Sequence, residues 1–162
     1  MAFKSLAGAI LLVSGAAAQA QAQQPRLDAR AAQAIVAGCA AHSGARNQSH
    51  AIAVVDAGGQ LLAALRMDGN SYGIMDFALA KARASAAWGS TTAGQAEGAR
   101  GTPGYSDAPH VVTVAGGVPV FSADGRERLG AVGVSGEAPA DDAACAEAGI
   151  LAAGLRSRRG AG

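Results

Sequence analysis

Residues 51–69 read AIAVVDAGGQLLAALRMDG, and this stretch decides the fold. Two apolar runs, 51–55 and 61–65, flank the Gly-rich segment Ala57–Gly59. Glycine permits the positive φ that a tight reversal needs, so the pattern predicts a β-hairpin. Because both runs are continuously apolar rather than alternating, we expect both faces of the hairpin to be covered, near the centre of a sheet.

The residues that precede the hairpin begin with the three-part pattern of a secretory signal peptide. Lys4 precedes the apolar run 6–13, and small residues then offer two A-x-A cleavage sites, after Ala20 or after Ala22. The apolar run is short for a bilayer span. We therefore predict a signal peptide over residues 1–22, a single domain over residues 23–162, and a periplasmic or secreted location.

The charge balance limits the class of partner. Removal of Lys4 with the leader would leave 12 basic and 12 acidic residues. A nearly neutral chain lacks the basic face that nucleic-acid binding needs, and no segment after the leader is apolar enough to predict a membrane span. Arg156, Arg158 and Arg159 stand in a Gly-rich tail and are interpreted as a solvated end. We expect a small-molecule ligand rather than nucleic acid or membrane.

Helical spacing of apolar residues predicts helices over 27–42, over 74–88 and from Asp141 or Asp142 to about Leu155, with Ser71 or Asn70 at the start of the second. Either aspartate would cap the last helix. Residues 89–109 break any regular pattern, so a binding loop, a lid, a disordered segment and a short helical turn all stay open.

Three further strands are predicted over residues 111–115, 118–122 and 129–134. Pro119 lies in the middle one, which indicates an edge position or a bulge. The order is then helix, two strands, helix, three strands, helix. Strands grouped in this way favour a mostly antiparallel sheet with helices packed on it, which is an α+β fold.

Four phrases of the chain resemble the GlcG/HbpS-like family, also called the haem-degrading or DUF336 domain. They are AVVDAGGQLLAALRMDG, ALAKARASAAWG, VAGGVPVF…DG and LGAVGVSGEAPADDAACAEAG, and the resemblance covers about residues 27–155. It implies a profilin-like α/β sandwich with a five-stranded antiparallel sheet flanked by helices, and a homo-oligomer. Some relatives bind haem or take part in its degradation, and others stand beside glycolate or corrinoid metabolism, so haem is the candidate cofactor.

The first group of candidate ligand residues lies where the hairpin enters the second helix. A guanidinium beside a helix N-terminus suits an anion, since both present hydrogen-bond donors. The alternative is a structural Arg66–Asp68 pair with Ser71 as a helix cap. Asp56 ends the first strand and need not meet Arg66. The candidates for ligand binding in this group are Arg66, Asp68, Ser71 and Lys81.

A second group is rich in glycine, and turn geometry alone is the alternative explanation for it. Two Gly-rich turns at one end of a sheet could present backbone amides to a small ligand. No nucleotide-binding glycine motif follows a strand here. The group consists of Gly116, Gly117, Pro119, Ser135, Gly136 and Asp142, of which all but Asp142, which a helix cap explains more simply, are the candidates for ligand binding.

The three histidines, His42, His50 and His110, lack partners at metal-ligand spacing, and no haem-attachment motif is present. A haem can be held by a single axial histidine. His110 is the candidate because it borders the irregular segment, and an ordinary exposed histidine is the alternative.

Two cysteines, Cys39 and Cys145, complete the set of candidates. An even pair in an exported chain predicts a disulfide if the first and last helices pack antiparallel on one sheet face. Two buried free thiols are the alternative.

Function stays open at this level. The leading hypothesis is an exported small-ligand-binding protein of the GlcG/HbpS type with haem as its candidate ligand. One alternative is an enzyme acting on a small hydroxy- or oxo-acid, with Arg66 on the carboxylate and Asp68 or Lys81 moving a proton. A structural oligomer subunit with a vestigial pocket is the other.

Overall fold

A computed structural model describes residues 25–160 of the chain, so the predicted signal peptide lies outside the described residues. None of the helices in this part is long and apolar enough to cross a bilayer. The elements are α1 Ala29–Gly44, β1 Ala51–Asp56, β2 Leu61–Arg66, α2 Tyr72–Trp88, α3 Thr92–Gly101, a 3₁₀ turn Tyr105–Asp107, β3 Gly117–Phe121, β4 Arg128–Ser135 and α4 Pro139–Ala152.

The four strands form one antiparallel sheet in the order β2-β1-β4-β3. Helices α1 and α4 pack against each other on one face, and α2 lies on β1 and β4 on the other. This arrangement confirms the predicted α+β fold of helices packed on an antiparallel sheet.

The two faces of the sheet carry side chains of different size. The face toward α1 and α4 holds large aliphatic residues, whereas the face toward α2 holds mainly alanine and glycine. Small side chains let a helix approach a sheet closely, so the backbone of α2 packs directly against the sheet. The large residues are Ile52, Val54, Val118, Val120, Val132 and Val134, and the small ones are Ala51, Ala53, Ala131, Gly117 and Gly133.

Gly133 and Gly117, paired across β4 and β3, mark the closest approach of α2 to the sheet. A Cβ on Gly133 would lie 1.9 Å from the Ala78 carbonyl oxygen, and one on Gly117 would lie 2.5 Å from that of Lys81. Both atoms belong to the α2 backbone, which no rotamer change can move away. Glycine at these two positions therefore sets the distance between helix and sheet.

The predicted disulfide is present and joins α1 to α4. Cys39 and Cys145 are fully buried and bonded, with Cα atoms 4.7 Å apart. The bond closes a loop with a sequence separation of 106 residues. The chain-entropy model assigns about 4–5 kcal/mol of stabilisation to a loop of that length.

The prediction of a fifth strand over residues 111–115 is wrong. The amide of Val112 donates to Gln95 Oε1 at 3.0 Å, and the amide of Val111 donates to the Ala108 carbonyl at 3.2 Å. This backbone therefore bonds to α3 and to a local turn instead of to a neighbouring strand. The resemblance to a five-stranded sheet overstates the strand count for the same reason.

The hairpin is confirmed, but only one of its strands is central. Residues 51–55 of β1 are fully buried, whereas β2 is an edge strand with Leu61 and Leu65 50% and 37% exposed. A continuous apolar run therefore indicated burial on both faces correctly for β1 and wrongly for β2. Pro119 lies in β3, the opposite edge strand, as its missing N–H predicted.

The irregular segment contains a real helix, α3, which is longer than the short turn left open by the sequence. Thr91 begins it by accepting the Gly94 amide at 3.0 Å, and the helix buries its own Gln95 side chain. The cap and this buried contact outweigh its three glycines.

Helix starts were predicted correctly for α2 and wrongly for α4. Ser71 accepts the Ile74 amide at the start of α2, as expected. Helix α4 begins with Ala138 as its N-cap and Pro139 in the first turn, so neither Asp141 nor Asp142 is the cap. It ends at Ala152, before the predicted Leu155.

Replacing Gly133 by Ala tests the close approach of α2. Because the added Cβ meets backbone, we expect the free energy of unfolding to fall by about 3 kcal/mol, the upper end of the range for overpacking. Chemical denaturation measures it. Gly44→Ala is the matched control, since nothing lies within 4 Å of its Cβ position, and it should change stability by less than about 0.5 kcal/mol. Equal effects in the two variants would contradict this account.

Candidate functional site

A buried ion pair lies at the end of the sheet where β4 finishes. Lys81 Nζ donates to Asp142 Oδ2 at 2.8 Å and to the Val134 carbonyl at 2.9 Å. Both charged side chains are no more than 2% exposed. Lys81 belongs to α2 and Asp142 to α4, so the pair joins the helix layers on the two faces of the sheet.

Gly116 leaves room for the Lys81 side chain in this pair, because it has no side chain of its own. Its φ is +124°, and a Cβ there would lie 2.8 Å from Lys81 Nζ and 2.4 Å from the Val134 carbonyl oxygen. A side chain at this position would therefore displace the lysine. Gly116 thus has a steric role beside the ion pair, in addition to the turn geometry that the sequence suggested.

His50 extends the polar cluster toward the disulfide. Its Nε2 lies 3.5 Å from Asp142 Oδ1, and its Nδ1 is 2.8 Å from Ser43 Oγ. Ser43 Oγ in turn lies 3.2 Å from Cys145 Sγ. His50 is fully buried. Its Nδ1 is hydrogen-bonded to Ser43, whereas its Nε2 faces the Asp142 carboxylate without a hydrogen bond.

Burial shifts two titrations in this cluster. It raises the pKa of the Asp142 carboxyl above its ordinary value, and the hydrogen bond and charge of Lys81 oppose that rise. It lowers the pKa of His50, and the nearby Asp142 carboxylate opposes this only in part. His50 is therefore a neutral imidazole at neutral pH.

The remaining residues of the first predicted group lie on the protein surface beside this cluster. They are Arg66, Asp68 and Ser71. The Arg66 guanidinium donates to the Asn70 carbonyl, and Ser49 Oγ donates to the Asp68 carbonyl at 2.6 Å. No Arg66–Asp68 ion pair is found within residues 25–160. Arg66, Asp68 and Ser71 are exposed, so their side chains remain accessible to a ligand.

The two predicted groups meet at this end of the sheet. Arg66 and Ser135 both pair with Ala51, one on each side of β1. Gly136 has a φ of +141° and packs so closely that a Cβ there would lie 2.8 Å from Asn70 Oδ1. Pro119 is the exception, because it lies two residues along β3 from Gly117 and lines a different cavity, beside Trp88 and Phe121. Lys81 and Ser135 are buried, so the exposed part of this group is the Arg66 surface together with Gly136.

His110 lies at the opposite end of the hairpin, beside the β1–β2 turn. With Arg83 it lines two adjoining hollows of about 310 and 350 Å³. One hollow is walled by the turn residues 57–60, and the other by Leu79 and Val112. His110 is exposed and has a φ of +61°, a rare conformation for a residue other than glycine. The structure thus separates His110 from the Arg66 group.

Two contributors to these sites escaped the sequence analysis, since Arg83 was not singled out and His50 was given no partner. Asp142 was named in the glycine-rich group and as a helix cap, but its contact with Lys81 was not predicted. The signals were weak, because an aspartate near a helix start is ordinarily a cap and one arginine on a helix is ordinarily solvated. No group of three His, Cys, Asp or Glu side chains in the described part of the chain is arranged to hold a metal ion.

The lowered pKa of His50 predicts a pH dependence of stability. The folded state binds fewer protons than the unfolded state between the lowered pKa and about 6.5, so stability should fall as the pH drops through this window. His50→Gln should flatten the slope in the window that begins at about pH 6.5 and extends below it. His42, whose pKa is also lowered by burial, leaves a residual slope. The raised pKa of Asp142 acts in the opposite sense, with stability lost as the pH rises through it.

Urea unfolding at several pH values measures this slope. A His50→Gln variant with the same slope as the natural chain would contradict the assignment.

Comparison with known proteins places this geometry in a family. The model of the haem-degrading HbpS-like family matches residues 27–151. A search of curated protein sequences found no significant match. A solved HbpS double mutant from Streptomyces reticuli is 26% identical, covering 91% of this chain and 97% of that one with a TM-score of 0.73.

Two further solved structures share the fold. ORFY from Klebsiella pneumoniae, a DUF336 protein, is 25% identical over 82% of this chain and 94% of its own, with a TM-score of 0.73. A PduOC–haem complex is 21% identical over 83% of this chain and all of its own, with a TM-score of 0.75, and at that identity it shows the fold alone. With the family model matching most of its length, the chain belongs to the haem-degrading HbpS-like family.

Proposed function

We propose that the chain is an exported small-ligand-binding protein of the HbpS type and that its ligand is haem. The observation that carries the proposal is the exposed imidazole of His110 beside two hollows that it shares with Arg83. The name of the family and the haem complex of a similarly folded protein support this choice of ligand.

The residues around His110 suit the chemical parts of haem. An imidazole is a common axial ligand of haem iron. The Arg83 guanidinium is a suitable partner for a propionate carboxylate, because it offers several donors in a planar fork. Leu79, Ala80 and Val112 supply apolar contact in one hollow, and Ala87 in the other. The volumes lie at the lower end of the range for small-ligand pockets.

The protein would contribute binding and orientation at this site. His110 would hold the iron, and Arg83 would fix the direction of the propionate edge. Haem itself supplies the iron-centred redox chemistry when it is bound. Arg83 Nε already donates to the Gly59 carbonyl at 3.3 Å, so its side chain is directed toward the hairpin turn before any ligand arrives.

The Arg66 surface is a second candidate ligand site, as the sequence suggested. It remains a proposal for a small carboxylate, because Arg66 is exposed beside the start of α2. Lys81 is ion-paired and buried beneath it, so an acid–base role for this lysine would require the Lys81–Asp142 pair to open.

Export is part of the same proposal. The buried Cys39–Cys145 disulfide is typical of proteins that fold in oxidising compartments. With the signal-peptide pattern of residues 1–22, it supports a periplasmic or secreted single domain over residues 23–162.

Haemin titration of three variants and one control variant distinguishes the sites. His110→Ala should abolish the shifted Soret band of the complex, and Arg83→Ala should weaken binding by about 1.5–3 kcal/mol, the range for a hydrogen bond to a charged group. Visible spectroscopy of the mature protein measures both. Arg66→Ala should bind haemin unchanged, and His42→Ala is the control for loss of a histidine elsewhere.

Loss of haemin binding in Arg66→Ala with full binding in His110→Ala would move the haem site to the other end of the hairpin. Failure of the natural chain to bind haemin at a defined ratio would overturn haem as the ligand.

We also propose a homo-oligomer that assembles through the edge strand β2. Leu61 and Leu65 on this strand are 50% and 37% exposed, and an edge strand with exposed apolar side chains is a ready pairing surface. Light scattering should show an oligomer at micromolar concentration. Leu61→Lys with Leu65→Lys should yield monomer, whereas Leu151→Lys, on α4 and 76% exposed, should not. A monomeric natural chain would refute the proposal.

A further inference from the structure

A cavity of about 840 Å³ lies between the end of α2, the β3–β4 turn and the C-terminal tail. Four arginines and one carboxylate, that of Glu127, are among its lining residues. We call it the arginine groove, after Arg126, Arg128, Arg158 and Arg159. Its position separates it from the Arg66 surface.

The tail that forms one wall of the groove is fixed to the sheet. Phe121 and Arg156 exchange two backbone hydrogen bonds, of 2.7 and 3.1 Å. The Gly160 amide donates to the Gly125 carbonyl at 3.0 Å. Arg158 and Arg159 lie between these two anchors, and the Arg159 guanidinium stands 5.6 Å from the centre of the Phe121 ring. The two arginines are thus held at the groove by the backbone rather than carried on a free end.

This arrangement changes the interpretation of the tail as a solvated end. The tail also lies beyond residue 151, where the match to the family model stops. One wall of the groove is therefore built by a part of the chain that the family model does not describe.

The positive charge in the groove is largely uncompensated. Within residues 25–160, no carboxylate lies within 4.0 Å of the guanidinium of Arg128, Arg158 or Arg159. Arg126 Nε is 3.8 Å from Asp124 Oδ2, but both side chains are more than half exposed, and such pairs are weak. Guanidinium groups brought together without acidic partners repel one another, and an anion between them would relieve the repulsion.

Two aromatic side chains complete the groove. Trp88 is held by a hydrogen bond of 3.1 Å from its Nε1 to the Pro109 carbonyl and by an edge contact with Tyr105, with ring centres 5.3 Å apart. Phe121 lies at the other side, under Arg159. The described lining residues include no His, Cys, Met or Tyr, the side chains that ligate haem iron. The groove therefore does not suit haem ligation.

We propose that the arginine groove binds a small anion that carries two or more phosphate or carboxylate groups. Guanidinium groups recognise both kinds of anion through paired hydrogen bonds. Four of them around one cavity favour a ligand with several negative charges over a singly charged one. The groove adjoins the proposed haem site, since Ala57 lines both the groove and one of the two hollows, but the proposal does not depend on haem.

Trp88 makes the test direct, because it is the only tryptophan of the chain. The full mature protein is titrated with pyrophosphate and, separately, with citrate at physiological salt, and tryptophan emission and heat of binding are followed. We expect a saturable emission change with one anion bound per chain. Tighter binding of pyrophosphate would identify a phosphate ligand, and tighter binding of citrate would identify a carboxylate.

The matched variants remove two arginines each. Arg158→Ala with Arg159→Ala should weaken binding by about tenfold or more, as expected for the loss of charged hydrogen bonds. Arg30→Ala with Arg100→Ala removes the same charge from exposed positions outside the groove and should leave the affinity within about twofold. Thermal melting confirms that both variants are folded.

Two results would overturn the proposal. One is the absence of a saturable signal from both anions up to millimolar concentration. The other is an equal loss of affinity in the two double variants, which would mean that the anions respond to net charge and not to the groove. Haemin titration of the same double variants keeps the outcome distinct from that of the haem proposal.

Discussion

The rest of the structure depends on the close approach of α2 to the sheet at Gly117 and Gly133. The α2 backbone packs directly on the backbone of the sheet. The residues buried on this face are mainly alanines, whereas valine and isoleucine are buried on the opposite face. Because α2 lies so close to the sheet, the Lys81 side chain can reach α4 on the opposite face. If α2 lay farther from the sheet, the Lys81 ammonium group would end between α2 and the sheet, where it would have no partner.

The Lys81–Asp142 pair follows from this geometry and joins both helix layers around the sheet end. Burial of a charged pair costs desolvation energy, so its net contribution to stability is small even though removal of one partner is costly. Its value here is geometric, because it fixes the start of α4 relative to α2. The nearby disulfide fixes α4 relative to α1. Together the two links hold three helices at one end of the sheet and leave the hairpin turn, with Arg83 and His110, at the other.

The parts of this structure that could be predicted from sequence are those set by local periodicity. The hairpin, α1, α2, and the pairing of Cys39 with Cys145 were predicted from apolar spacing and from the secreted pattern. The failures involve partners distant in sequence. Residues 111–115 look like a strand, but Gln95 takes the Val112 amide. His50 and Asp142 come together only through the packing of elements that are distant in sequence. No local sequence pattern indicates that contact.

The backbone pairing of the tail with β3 makes the two edges of the sheet unequal. On the β3 side, Arg156 already occupies the hydrogen-bonding groups of Phe121, and Pro119 has no N–H to offer. The β2 side has no such cover within residues 25–160. Endless strand addition needs two open edges per molecule, one to receive and one to offer. Strand pairing between two copies of a sheet with a single open edge requires a two-fold axis, so the tail blocks strand-by-strand extension through the β3 edge.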